Sequence, residues 1–242
     1  MKICLAGLSS FPTLEEEFQK SCDFFLESFM YIKNWQIPYT SSKKLFLLDS
    51  GAFTFMNSGE KNTKNYEEFL EKYITFINNN SIENFFNLDL DNIIGVEKTR
   101  KLTQTLEKRT GKQCIPVFHK KMGLDIYNQL IDEYKYIAIG TIYEYKSNPD
   151  ILKNLLHLAF NKKCKVHGLG FTQTKFLETF PFYSVDSTSW LAGGKFAKLY
   201  KFNGKTLLKY SKPEGTKLIN YKKINLHNFK EWCKYQKYME GN

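Results

Sequence analysis

Two short segments set a carboxylate beside small neighbours in the same way. Leu47-Leu48-Asp49-Ser50-Gly51-Ala52-Phe53 and Tyr183-Ser184-Val185-Asp186-Ser187 each end an apolar, strand-like run in Asp-Ser. A carboxylate at the carboxyl end of a strand, followed by small residues, is how (β/α)-barrel enzymes present catalytic groups. Two such carboxylates can divide one reaction between a nucleophile and an acid/base partner. Either Asp-Ser alone reads first as the cap of the helix after its strand. The pair, in a chain where strands and helices alternate, favours the catalytic reading.

The elements that would position these groups show in the apolar pattern. Candidate strands cover residues 2–6, 44–48, 84–88, 113–118, 136–139, 164–167, 182–185 and 196–202. Amphipathic stretches at 13–33, 65–78, 95–108, 123–133, 150–161 and 172–179 lie between them. Thr13 with Glu15 and Glu16, and Asn65 with Glu67 and Glu68, mark helix starts. Eight strands separated by helices predict an α/β fold, a TIM-like (β/α)8 barrel, as a single domain over 1–242. A doubly wound open sheet is the competitor, but no Gly-rich phosphate loop follows the first strand. After about Gly204 the pattern changes to a Lys/Tyr-rich hairpin and a final helix at 226–239, so 204–242 reads as a C-terminal appendage to the barrel.

In this register the strand ends carry Asp49-Ser50-Gly51, Asp89 with Asp91, His119, Gly140-Thr141, His167-Gly168 and Asp186-Ser187. Gathered on one face, they make a site of several carboxylates and two imidazoles. Gly51, Gly140, Gly168 and Gly170 would let a flat ligand approach the main chain. Turn chemistry explains any one of them equally well. His119 and His167 are each as readily structural hydrogen-bonding groups as site residues.

Bulk properties narrow the class. The net charge is +10, from 35 Lys+Arg against 25 Asp+Glu, which points to a polyanionic partner such as nucleic acid. Lys far outnumbers Arg, and Asn and Ile are frequent, a bias that an AT-rich genome produces by itself. Basic residues concentrate towards the end of the chain, where Lys195, Lys198 and Lys201 alternate with Phe196, Tyr200 and Phe202. Such mixing suits phosphate contacts plus base stacking, and a solvated hairpin face is the plain alternative. The five cysteines are scattered without metal-ligand spacing, so reduced thiols in a cytoplasm and no structural metal are expected. No apolar run approaches the ~20 residues of a membrane span.

The ordered set of these motifs resembles the tRNA-guanine transglycosylase superfamily over about residues 44–209. Asp49-Ser50-Gly51-Ala52-Phe53 resembles that family's Asp-Ser-Gly-Gly-Phe segment, with Ala52 in place of the second Gly. Leu88-Asp89-Leu90 is similar to the strand end that reads the purine edge, and Ile139-Gly140 to the backbone over which the base lies. Gly168-Leu169-Gly170 resembles the Gly-x-Gly after the sixth strand, and Val185-Asp186-Ser187 the strand end bearing the nucleophile. Gly194-Lys195-Phe196-Ala197 and Asn203-Gly204-Lys205 are similar to the hairpin that follows. Three features depart from the pattern, one being a chain much shorter than the family members that act on tRNA. No Cys-rich zinc site follows the barrel, and Phe118-His119 stands where the family offers Gln-Gly. A short, zinc-free chain is most similar to the DNA-guanine transglycosylases of phage and bacterial 7-deazaguanine DNA-modification systems.

The resemblance implies replacement of guanine in DNA by a free 7-deazaguanine base, preQ0-type, with no cofactor and no metal. It implies Asp186 as nucleophile on the sugar C1′ and Asp49 as the proton-handling partner. Asp89, or Asp91 if the register shifts, would read the base, with Ser50, Gly51, Phe53, His119, Gly140, Thr141 and Gly168 around it. Lys195, Lys198 and Lys201 would contact phosphates. No membrane is implied; the compartment would be the cytoplasm, a host's if the chain is phage-encoded. A zinc-free tRNA-guanine transglycosylase is the nearest alternative. A small-molecule barrel enzyme with two carboxylates and a non-catalytic nucleic-acid-binding barrel are more distant ones.

Overall fold

The computed structural model describes residues 1–11, 14–57, 65–140, 142–145, 147–171, 177, 179–211 and 220–241, and their side chains except those of residues 53, 56, 57, 142, 143 and 195. It is an α/β fold around a curled, all-parallel sheet of seven strands. These are β1 (Lys2–Ala6), β2 (Phe24–Ser28), β3 (Leu45–Asp49), β4 (Val117–Phe118), β5 (Tyr136–Ile139), β6 (Lys165–Gly168) and β7 (Ser184–Ser187), in spatial order β3-β2-β1-β7-β6-β5-β4. Parallel neighbours require crossovers. Most carry helices: α1 (Glu15–Ser21), the short α2 (Tyr39–Ser42) and α3 (Ala52–Asn57), α4 (Tyr66–Asn79), the short α5 (Asp91–Ile94), α6 (Val96–Thr110), α7 (Leu124–Glu133) and α8 (Pro149–Asn161).

The strands are buried on both faces, and their alternation splits the core in two. Ile3, Leu5, Phe25, Phe46 and Leu48 pack with the helices, while Cys4, Ala6, Phe24, Leu26, Leu45, Leu47, Val117 and Ala138 form a second, inner cluster. The helices start and stop as their ends dictate. Asn65 caps α4 by accepting from the Glu67 and Glu68 amides, as its position before two acidic residues predicts. Gly111 ends α6 in the left-handed region at φ 67°.

Two expectations about the strands are corrected. Residues 13–33 are not one helix; within them α1 stops at Ser21 and β2 follows. The β2 run Phe24-Phe25-Leu26 is apolar on both faces, so it lacks the polar alternation that would mark a strand. The other correction concerns residues 196–202, which are no part of the main sheet. Within them β8 (Lys198–Phe202) pairs antiparallel with β9 (Leu207–Ser211) as a separate hairpin, after the short α9 (Ala192–Phe196).

Residues 84–87 lie between the sheet's two outer strands and bond to both sides. Leu48 and Phe85 form one parallel bridge, Phe86 and Ile115 another. The Leu48 amide donates to the Asn84 carbonyl at 2.9 Å, and the Ile115 amide to that of Phe85 at 2.8 Å. The ladder then lapses because the Asn87 side chain, not a main-chain carbonyl, accepts from the Val117 amide at 3.1 Å.

The last helix, α10 (Tyr221–Gly241), places Phe229, Trp232, Cys233, Tyr235 and Met239 in the main core. Its Gln236 donates to the carbonyls of Ile3 and Phe24 and accepts from the Asp23 amide, tying down the starts of β1 and β2. The residues set apart from 204 onward therefore divide into a hairpin strand and a helix that shares the central core. Among the described residues no helix is long and apolar enough to cross a membrane.

Candidate active site at the carboxyl ends of the strands

Asp49 is the last residue of β3 and Asp186 lies near the end of β7, so parallel pairing brings both to the same rim. Asp89 follows the bridging segment, and His119 directly follows β4. Asp89 and His119 are in direct contact. Asp89 Oδ1 and Oδ2 lie 2.9 and 3.1 Å from His119 Nε2. The His119 ring lies against Gly140, just beyond β5, where an added Cβ would come within 2.5 Å of His119 Cε1. Any side chain at Gly140 would expel the imidazole. Asp49 feels the charges of both Asp89 and Asp186.

Electrostatics separate the carboxylates. Burial pushes Asp49 up to about 7, and the neighbouring charges of Asp89 and Asp186 add to the rise. The Gly51 amide, donating to Asp49 Oδ2 at 3.2 Å, and the Ser28 hydroxyl oppose it. Near neutrality Asp49 can therefore both give and take a proton. Gly51 makes this turn at φ 69°, and a Cβ there would meet Ser28 Oγ at 2.5 Å, so only glycine fits. Burial also raises Asp89, helped by the Asp91 carboxylate and opposed by His119. Burial pulls His119 down, but Asp89, Asp91 and Glu144 outweigh it and hold the imidazole above its ordinary value.

Asp186 is held differently. Its Oδ1 accepts from the Gly170 amide at 2.6 Å and lies 3.3 Å from His167 Nε2. Among the described residues its Oδ2 has no hydrogen-bond partner, and the side chain keeps 11% of its exposure. Both contacts fall on the same oxygen, Oδ1.

Asp91, at the first position of α5, is buried; Lys121 Nζ lies 3.1 Å from its Oδ2 and His119 Nε2 3.7 Å from its Oδ1. Asp89, Asp91 and His119 each offer one atom within 4.8 Å of the others, a spacing able to hold a cation. His119 and Lys121 already face these two carboxylates, although neither oxygen of the buried Asp91 has a hydrogen bond among the described residues.

Asp49, Asp89, His119, Gly140 and Asp186 thus come together, with Asp91 behind them. Ser50 is buried and its Oγ accepts from the Ala52 amide at 3.4 Å, the turn role of the capping reading. Gly168 turns its Cα hydrogen towards Phe171 and Phe182 on the helix side; the neighbouring Gly170 supplies the contact to Asp186. Thr141 and the side chains of Phe53 and Lys195 lie outside the described residues. Lys201 is exposed on the hairpin, whereas Lys198 is half-buried and donates to Ser211 Oγ. The sequence reading missed Ser28, which falls in the strand mistaken for helix, and Ser184 and Tyr136 inside the sheet.

No family model matches this chain, and a search of the curated proteins finds no match either.

Proposed function

We propose that this chain exchanges nucleobases in a nucleic acid, replacing guanine in DNA by a free 7-deazaguanine through a covalent Asp186–sugar intermediate. The reading takes the seven strands together with residues 84–88 as a (β/α)8-type barrel and its carboxyl-end rim as the active site. One observation carries it: two carboxylates share that rim, Asp49 poised near neutrality and Asp186 held through Oδ1 alone among the described residues.

The chemistry follows from that difference. Asp186 Oδ2 attacks C1′ of the nucleotide as the C1′–N9 bond breaks, and the bond's electron pair leaves with guanine. Asp49 in its acid form gives the departing base a proton. The resulting Asp49 carboxylate then takes the N9 proton of the entering base, whose nitrogen attacks C1′ and expels Asp186. Atoms and protons balance, and the stereochemistry at C1′ is retained. Asp89, held on one side by His119, would accept from the N1 and exocyclic amino groups of the base. A base within a duplex must be extruded first, at a cost of a few kcal/mol, and the Lys-bearing hairpin supplies phosphate contacts.

The test is incorporation of isotopically labelled guanine and of labelled preQ0 into DNA and, in parallel, into tRNA. Label is expected in DNA; label in tRNA alone would assign the same chemistry to the other polymer. Asp186→Ala and Asp49→Asn should each lower incorporation by at least about a hundredfold. Full activity in Asp186→Ala would end the proposal.

A further inference from the structure

A chain of polar side chains runs from Asp186 into the closed interior of the sheet, and the base-exchange chemistry leaves it unused. His167, on β6, is fully buried, with its ring against Phe86 at 5.3 Å between centroids. Its Nε2 faces Asp186 Oδ1 at 3.3 Å, and its Nδ1 lies 2.6 Å from Ser184 Oγ. Ser184 Oγ in turn contacts the Tyr136 hydroxyl. Ser184 and Asp186 stand two apart on β7, and the register sets His167 beside Ser184. Strand periodicity thus points the chain along the interior face.

Its polarity is set at the Asp186 end: a nucleophilic carboxylate only accepts, so the hydrogen between it and His167 lies on Nε2. The Tyr136 phenol stays protonated, because burial raises it well above its ordinary value, and Ser184 is its partner. With the Nε2 hydrogen directed at Asp186, the imidazole in its neutral form accepts at Nδ1 from Ser184, and Ser184 Oγ accepts from Tyr136. The carboxylate receives two N–H donors on one oxygen, from Gly170 and His167.

We infer that His167, held in one tautomer by Ser184 and Tyr136, is a positioning residue for Asp186: it fixes Oδ1 so that Oδ2 attacks, and it assists departure of the carboxylate in the second half-reaction. The inference rests on the base-exchange reading. Its physical basis is that an N–H donor bonds a carboxylate more strongly than an ester carbonyl. When Oδ2 leaves C1′ and takes the bond's electron pair, negative charge returns to the carboxyl group and the His167 bond strengthens. Removing that donor should shift the balance towards the covalent adduct.

The experiment incubates enzyme with guanine-containing DNA, traps the adduct on denaturing gels, and titrates free guanine to find the concentration that dissolves half of it. In His167→Asn, whose amide can occupy the Nδ1 position but not that of Nε2, that concentration should rise about tenfold. His167→Gln, which restores an N–H near Nε2, should return it to within about twofold of wild type. A merely structural role would lower adduct yield and soluble protein without moving the titration. If His167→Asn does not fold, Tyr136→Phe decides, since it keeps the ring and removes only the end of the chain. A rise of about twofold or more supports the inference; an unchanged titration overturns it. Absence of any adduct in the wild type, with DNA and with tRNA alike, would instead count against the base-exchange reading itself.

Discussion

Asp49 is a residue on which function and stability pull in opposite directions. Its folded value of about 7 lies above the ordinary 3.8, so between those limits the folded chain holds a proton that the unfolded chain has released. Stability therefore falls as pH rises through that window, and the full penalty is present above about 7. Asp49→Asn removes the penalty along with the activity. It should stabilise the protein by roughly 1–3 kcal/mol at pH 8 and by little at pH 3, where both states are protonated. Denaturant melts at the two pH values check this; equal effects at both would mean that Asp49 is not strained by its setting. At this scale much of the site was legible. Asp49, Asp89, His119, Gly140 and Asp186 each stand at a strand end and could be found by locating the strands. His167 could not be weighed, because its role depends on which face of β6 it occupies and on Ser184 across the sheet.

At the scale of elements, the hairpin makes a sharper prediction than its composition did. Strand alternation places Leu199, Lys201, Leu208 and Tyr210 on its outer face, and Tyr200, Phe202 and Leu207 against α10. Lys201 is exposed on that outer face, whereas Lys198 is half-buried and bonded to Ser211. Lys201→Ala should weaken DNA binding across all sequences and reduce the log–log salt slope by about 1. Lys198→Ala should do so less. Filter binding over a salt series checks it, and equal losses from both would contradict the geometry. The elements themselves were only partly legible. Helix α4 announced itself through Asn65 and an apolar stripe. Strand β2 was hidden because burial on both faces erases the alternation by which a strand is recognised. Strand β8 looked like its neighbours because Tyr200 and Phe202 are apolar for contact with α10, not with the sheet.

For the whole molecule, the weak point is the seam between the two outer strands of the sheet. Residues 84–87 span it with single bridges, and the fully buried Tyr73 hydroxyl lies between the Leu48 and Phe86 carbonyls at 3.1 and 3.0 Å. Tyr73→Phe leaves those carbonyls without that donor and should cost roughly 1–3 kcal/mol, read from chemical denaturation; no loss would mean that the seam is held by packing alone. The same seam carries Asp89 to the rim, so its integrity is a condition of the proposed function. The account stands or falls on whether Asp186 becomes covalently bound to a sugar. The direct measurement is peptide mapping by mass spectrometry after the protein is denatured in the presence of guanine-containing DNA and, separately, tRNA, without added free base. The expected result is a nucleotide-bearing peptide with the added mass on Asp186, absent from Asp186→Ala. No covalent species with either polymer, or an adduct that persists in Asp186→Ala, would contradict it.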